Sequence, residues 1–514
     1  MKPTSRAVAL CLASSLLGAP SLAAVKLPAL FADNMMVQRD AKFFVWGIAE
    51  PGEKIAIRLA DRKASATAGD DGKWKAALKP VEAGGPFELV VSAANTITIH
   101  NVLAGDVWVA SGQSNMAWPV RKALSPETEI AAADYPRIRL FSVRLAPKET
   151  PQPDVKGQWD VCSPATIPNF SAVGFYFGRE LHKTLGVPIG IINTAVGATP
   201  ADAWTDAATL RSDPDFKPIL DRWDQAVADF PRTNAEYQQK LAEWKEASKK
   251  AEAEKTPPPK EPQMPYGPGH PDTPSGLYNG MIAPLIPYAI KGVIWYQGES
   301  NALRAHQYRK LFPDMIEGWR HAWGQGDFPF LFVQLANFVL TVPQPSDSTW
   351  AEMREAQLMT LSLPNTGMAV AVDVGEQDDI HPKNKQEVGR RLALAAEGIV
   401  YRKKMEYSGP MLRSMSVKEG KAVLRFDHVG AGIVAKGGGP LKGFAVAGAD
   451  RKFVWADAAI EGDTIVVTSD KVAEPVAVRY AWANNPVCNL YNADGLPASP
   501  FRTDDWPGLT DETR

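Results

Sequence analysis

Asp106-Val107-Trp108-Val109-Ala110-Ser111-Gly112-Gln113-Ser114-Asn115-Met116 is an apolar run that breaks on a glycine and gives way to polar side chains. A run apolar at every position, instead of at alternate ones, predicts a strand covered on both faces. Four further runs have this character, at residues 188–192, 292–296, 329–333 and 368–372. Helical segments separate them, and that alternation predicts an α/β domain built on a parallel sheet. Sheets of this kind carry their functional side chains just past the C-terminal ends of strands. The residues that follow each run are therefore the candidates for chemistry.

Outward from this core, residues 105–405 read as the α/β domain. Before it, residues 24–104 hold short alternating runs, such as Lys54-Ile55-Ala56-Ile57-Arg58, separated by Pro/Gly and Asp/Gly turns. That pattern predicts a small N-terminal β-sandwich. After it, residues 406–514 return to β-like runs and predict a C-terminal β region. A helical and Pro-rich insertion occupies about residues 205–276. Within it, Tyr237, Leu241, Trp244 and Ala251 recur at near-heptad spacing, as on a surface helix with a narrow apolar stripe, and Thr256-Pro257-Pro258-Pro259 stops that helix.

Ser114 sits on the glycine-bearing turn after the first run, where a strand-to-helix connection exposes a side chain at the sheet edge and frees a backbone N–H for an oxyanion. The turn is not G-x-S-x-G, because Met116 stands at the second glycine. Asp378-Asp379-Ile380-His381-Pro382 follows the last run. His381 differs from the other six histidines in having nearby carboxylates, a preceding strand and a rigid proline after it. A serine–histidine pair needs a third group to fix the imidazole tautomer. Asp378, three residues back, is expected to fill that role, with Asp379 as competitor. Asn193-Thr194-Ala195-Val196-Gly197 and Gln297-Gly298-Glu299-Ser300-Asn301 supply glycines and side-chain amides of the kind that stabilise developing negative charge.

The order Ser114, Gly197, the Gln297-to-Asn301 block and Asp378-x-x-His381 resembles the SGNH hydrolases, specifically the sialate O-acetylesterase-like carbohydrate esterases. Trp295-Tyr296-Gln297-Gly298-Glu299-Ser300-Asn301, Phe170-Ser171-Ala172-Val173-Gly174-Phe175 and Asp33-Asn34-Met35-Met36-Val37-Gln38-Arg39-Asp40 are similar to that group as well. The likeness spans nearly all of the chain. It implies a three-layer α/β/α, flavodoxin-like domain and a Ser114–His381–Asp378 triad, with neither metal nor other cofactor. It further implies an oxyanion hole made by the N–H groups of Ser114 and Gly197 and an amide from Gln297 or Asn301. Gln113 departs from the general pattern, since an Asp commonly precedes the serine. The implied substrate is an acetylated carbohydrate, either O-acetyl sialic acid or a plant polysaccharide such as xylan or xyloglucan.

Composition narrows the alternatives. The 514 residues are 45% hydrophobic and 22% charged with a formal net charge of -2, which gives no electrostatic reason to expect nucleic acid or an anionic membrane as partner. Lys2 and Arg6, the apolar run from Ala7 to Leu17 and the small residues up to Ala23 have the order of a secretory signal peptide at residues 1–23, too short to span a bilayer. Export to the periplasm or the extracellular space is expected. The mature chain keeps Cys162 and Cys488, whose pairing the sequence leaves open. A metal-assisted hydrolase using Asp378, Asp379 and His381 lacks a second histidine pair at metal spacing. A carbohydrate-binding protein with a decayed esterase site is the alternative from another class. The glycine clusters at 430–432 and 437–439 lie among β and turn signals, not in the strand-to-helix context of a dinucleotide site.

Overall fold

The first run becomes the C-terminal half of β1 (Thr96–Gly112), whose last eleven positions are all buried in the computed structural model. That structure describes residues 24–513, so the expected signal peptide at 1–23 lies outside the described residues. The remaining strands of the central sheet are β2 (Tyr135–Ser142), β3 (Trp159–Cys162), β4 (Ile189–Asn193), β5 (Gly292–Tyr296), β6 (Phe330–Gln334) and β7 (Thr366–Val370). Their spatial order is β7-β6-β5-β1-β4-β2-β3, parallel throughout except for β3, which runs antiparallel to β2 at the edge. The fold is a mixed α/β one around a largely parallel sheet. β5, β6 and β7 are buried at every position, as their apolar runs require.

β2 is the strand the apolar runs do not mark. Its sequence YPRIRLFS alternates arginine with apolar residues, yet Arg139 is 2% exposed and its guanidinium bonds the Pro136 carbonyl and the Asn101 amide oxygen. A buried arginine held in this way by two of its nitrogens leaves no apolar signature.

The strand order positions the site. After β1 the chain builds β2 and β4 on one side, then β5, β6 and β7 on the other. That reversal opens a crevice beyond the C-terminal end of β1, where ligands bind in open α/β sheets. Register brings the flanking strand ends level with it: Asn193 lies opposite Ala110, and Tyr296 opposite Gly112.

Two helices frame the crevice, α1 (Ser114–Ala117) directly after β1 and α2 (Ala172–Leu185). Ser171 caps α2 by accepting the Gly174 N–H at 3.0 Å, and its hydroxyl donates to the Met116 carbonyl at 2.6 Å. The two sequence motifs around Ser114 and Ser171 are thus one joint. A third motif is explained by an ion pair, since Arg39 grips the buried Asp106 of β1 through Nε at 2.9 Å and Nη2 at 3.0 Å.

β1 also serves the N-terminal strands: its first half pairs antiparallel with Gly84–Ser92, and Met36–Gln38 lies parallel to Leu103, Ala104 and Gly105. The insertion forms α3 (Lys217–Glu254), 38 residues long with only Ile219 and Ala251 buried, and Trp244 donates its indole N–H to the Pro259 carbonyl of the Pro-rich return. Further on come α4 (Ala305–Trp323), α5 (Thr349–Met359) and α6 (Lys385–Ile399). The C-terminal strands, among them Lys421–Asp427, Phe444–Ala447 and Ala477–Tyr480, enclose a second apolar core around Leu424, Phe444, Val478 and Phe501. The end of the chain returns to α5, where buried Glu352 accepts the N–H groups of Leu509 and Thr510. Cys162 and Cys488 are both free. Among the described residues no helix is long and apolar enough to cross a membrane.

Candidate active site

Gly112 makes the turn that presents Ser114. Its φ is +127°, and a Cβ there would lie 2.2 Å from the Tyr296 carbonyl oxygen, so β5 leaves room for glycine alone. Gln113 then donates its N–H to that carbonyl at 2.9 Å, and Ser114 begins α1.

Ser114 Oγ lies 2.9 Å from His381 Nε2. On the far side of the ring, Nδ1 lies 3.1 Å from Asp379 Oδ1, which also accepts the His381 main-chain N–H at 2.9 Å. A proton on Nδ1 makes the first of these contacts a hydrogen bond and leaves Nε2 free to accept from the serine hydroxyl. The imidazole stacks on Trp118, with ring centroids 4.5 Å apart and planes inclined by 15°.

The carboxylate against the ring is therefore Asp379, and the expectation of Asp378 is corrected. Asp378 is exposed, and it accepts from the Gln377 amide at 3.4 Å. The reason is local: an aspartate two residues before the histidine closes a turn by bonding the main-chain N–H, and the same oxygen then meets Nδ1.

The expected oxyanion residues divide. Gly197 stands beside the nucleophile, since a Cβ built on it would meet Ser114 Cβ at 3.5 Å. Gln297 and Asn301 are drawn inward instead. The Gln297 amide nitrogen donates to the Thr199 carbonyl and to Asn301 Oδ1, which uses both of its hydrogens, while its oxygen accepts from Tyr308. The Asn301 amide donates to Asp202 and accepts the Ala201 N–H. Both side chains are essentially unexposed, and their donors hold the neighbouring loop together. Gln113 has the opposite arrangement. Its oxygen accepts the N–H groups of Gly298 and Ser300, both at 3.3 Å, leaving its NH₂ group as the side chain's available donor.

A second polar group lies behind the serine and went unread in the sequence. The Asn115 amide donates to Glu299 Oε1 at 2.5 Å and to the Ile380 carbonyl at 3.1 Å, and its oxygen accepts from Lys385 Nζ at 2.5 Å. The residue after the nucleophile is thereby tied to the residue before the histidine. Lys385 is 0% exposed, and burial pushes its ammonium down to about 7 while raising the Glu299 carboxyl. No sequence signal marks a buried lysine at the start of an amphipathic helix, because lysines at such positions are nearly always solvated. Burial also lowers the His381 imidazole; Asp379 opposes that shift, and the charges of Lys385 and Lys122 add to it. Asp379 itself stays below the usual carboxylate range, because the bonds from His381 outweigh its burial.

A family model described as carbohydrate esterase, sialic acid-specific acetylesterase matches residues 104–250 and 271–397. The chain belongs to that family of carbohydrate esterases. Sialate O-acetylesterase of Rattus norvegicus is 31% identical over 92% of this chain and 93% of its own length, and that of Homo sapiens 29% over 93% and 92%. The crystal structure of a carbohydrate acetylesterase from Xanthomonas citri is 40% identical, covers 94% of this chain and 100% of its own, and superposes with a TM-score of 0.81. The matched spans of this carbohydrate acetylesterase contain Ser114, Gly197, Asp379 and His381, and the break between them falls on the end of α3 and the Pro-rich loop. Among the described residues there is no cluster of three side chains placed to hold a metal ion.

Proposed function

We propose that this chain is an exported serine esterase that removes O-acetyl groups from carbohydrates through an acyl-enzyme, within a three-layer α/β/α domain flanked by β regions. Ser114 Oγ attacks the acetyl carbonyl while His381 Nε2 takes its proton. The N–H groups of Ser114 and Gly197 and the Gln113 amide face the oxyanion. His381 then protonates the sugar oxygen as its bond to the acetyl carbon breaks, so that the sugar leaves as a hydroxyl, and a water activated by the same nitrogen releases acetate and frees the serine. Asp379 holds the imidazole in the required tautomer and balances its charge. The observation that carries this reading is the unbroken chain from Ser114 Oγ through His381 to Asp379, at 2.9 and 3.1 Å.

The mammalian relatives are named for sialate, whereas the more similar Xanthomonas protein is named only for carbohydrate. Acetate release by the purified protein, from O-acetyl sialic acid and from acetylated xylan or xyloglucan, separates the two, with Ser114→Ala as blank. Release from at least one substrate that disappears in the blank is the expected result. Serine-independent release, or none from any of them, defeats the proposal.

The electrostatics give a second expectation. Burial and the two lysine charges hold His381 below its ordinary value of about 6.5. The base is neutral and active above its pKa, so the acid limb of kcat/KM for 4-nitrophenyl acetate should fall below pH 6.5. Removing the cation in Lys385→Met relieves the imidazolium and should move that limb to higher pH. An unmoved limb would separate Lys385 from the base.

A further inference from the structure

The C-terminal β region holds a cavity of about 310 Å³ that the reaction does not use, lined by Phe453, Trp455, Trp482 and Trp506 together with Arg451 and Arg479. A second cavity of about 280 Å³ adjoins it, shares Gly443 and Trp455 with it, and is walled by Val342, Pro486 and Val487. Trp455 stands between the two and is 44% exposed. Its indole N–H donates to the Pro343 carbonyl at 2.9 Å, so the polar edge is already satisfied and the exposed part of the ring is apolar.

We propose that this double cavity binds the sugar chain of a polymeric substrate, a neutral glycan stacking on Trp455 and reaching into the pocket of Trp482 and Trp506. The inference rests on the esterase reading above and names its substrate class. A pyranose presents an apolar C–H face and a rim of hydroxyls, and the cavity offers both complements: the exposed Trp455 ring, and guanidinium groups held in place over Phe453, Trp482 and Trp506. Arg479 is bound through two nitrogens to Asp504 and through a third to Asp347, so its charge is balanced within the protein. The Arg451 guanidinium lies 5.3 Å over the Trp506 ring. The exposed, apolar part of the Trp455 ring, beside an Arg479 already neutralised by Asp504 and Asp347, favours an occupant that stacks as an uncharged sugar face.

Continuity with the catalytic loop supports a single chain-like ligand. The second cavity's wall includes Thr341 and Val342, and two residues earlier Val339 donates its N–H to the Gln377 carbonyl, four residues before His381. The Asn485 amide donates to the Val339 carbonyl at 2.5 Å. Val342 and Val487, which wall the second cavity with Trp455, are 43% and 59% exposed, and Leu340, next to Val339 in the chain, is 68% exposed.

The test measures two things on the full chain. Affinity electrophoresis of the Ser114→Ala protein against deacetylated xyloglucan and xylan reads binding without turnover, with polygalacturonate as the anionic control. Acetate release from the acetylated polymers and hydrolysis of 4-nitrophenyl acetate read catalysis. Trp455→Ala should weaken retardation by the neutral polymers about tenfold and raise KM for them about tenfold, with kcat and 4-nitrophenyl acetate hydrolysis unchanged. Val487→Asp, which puts a charge into the second cavity without touching the tryptophans, should do the same. Unchanged retardation and KM in both variants overturns the proposal, as does retardation by polygalacturonate alone. Trp455-dependent binding by a protein that releases no acetate would leave the surface standing and defeat the esterase reading. Normal polymer turnover with unchanged KM in both variants would do the reverse.

Discussion

His381→Ala should lower kcat/KM for acetyl-ester hydrolysis by about 10⁴- to 10⁶-fold, the range seen when the base of a serine triad is removed. Loss of the imidazole leaves Ser114 Oγ without its acceptor at 2.9 Å, so the serine attacks as a neutral hydroxyl and the leaving sugar departs without a proton. The fall should appear in kcat, with KM for the ester changing little, because His381 serves the transition state more than the bound substrate. The ring also covers the face of Trp118, and its removal exposes an indole that the native protein keeps stacked. Thermal unfolding measured on the same sample therefore separates lost chemistry from lost packing. A large drop in turnover with a small change in Tm is the expected pair of results. Turnover within tenfold of the native enzyme would rule His381 out as the base.

Much of this arrangement is legible in the sequence because it follows from rules of period and order. A strand buried on both faces must be apolar throughout; the runs marking β4, β5, β6 and β7 fall within two residues of the observed strands, and the run marking β1 covers only the C-terminal part of a strand that begins at Thr96. A parallel sheet puts its chemistry past strand ends, which singles out Ser114 and the loop of His381 with no knowledge of side-chain packing. What sequence does not give is where a side chain turns once it arrives. Gln297 and Asn301 stand where an amide donor belongs, and both rotate into a buried network with Thr199, Asp202 and Tyr308. Their competing partners come from residues 11 to 99 positions away, a tertiary effect that no local pattern encodes. Lys385 is hidden for the same reason: its burial depends on Asn115 and Glu299, 270 and 86 residues earlier in the chain. β2 escapes notice because an arginine can be buried when carbonyls receive it.

The choice between neighbouring aspartates is the sharpest case, and a paired substitution decides it. Asp379→Asn should reduce kcat/KM by about 10³- to 10⁴-fold, whereas Asp378→Asn should stay within about twofold of the native enzyme. An amide at 379 offers the ring no negative charge in either orientation. With its oxygen at the Oδ1 position it keeps the turn, since that one atom faces both the His381 main-chain N–H and Nδ1; turned over, with its NH₂ group there, it loses the turn and favours the tautomer that carries the proton on Nε2, which is the wrong one for a base. The pH profile should move with it. Asp379 raises the imidazole's affinity for protons against the effect of burial, so removing its charge lowers the His381 pKa further and carries the acid limb to lower pH. Asp378, exposed and bonded to Gln377, has no such lever on the ring. Because Asp379 keeps 38% of its side-chain surface exposed, water screens part of its influence, and the lower end of the activity range is the better expectation. If Asp378→Asn proved the damaging change and Asp379→Asn the silent one, the histidine loop would have to close differently around bound substrate, with the residue three positions back swinging under the ring.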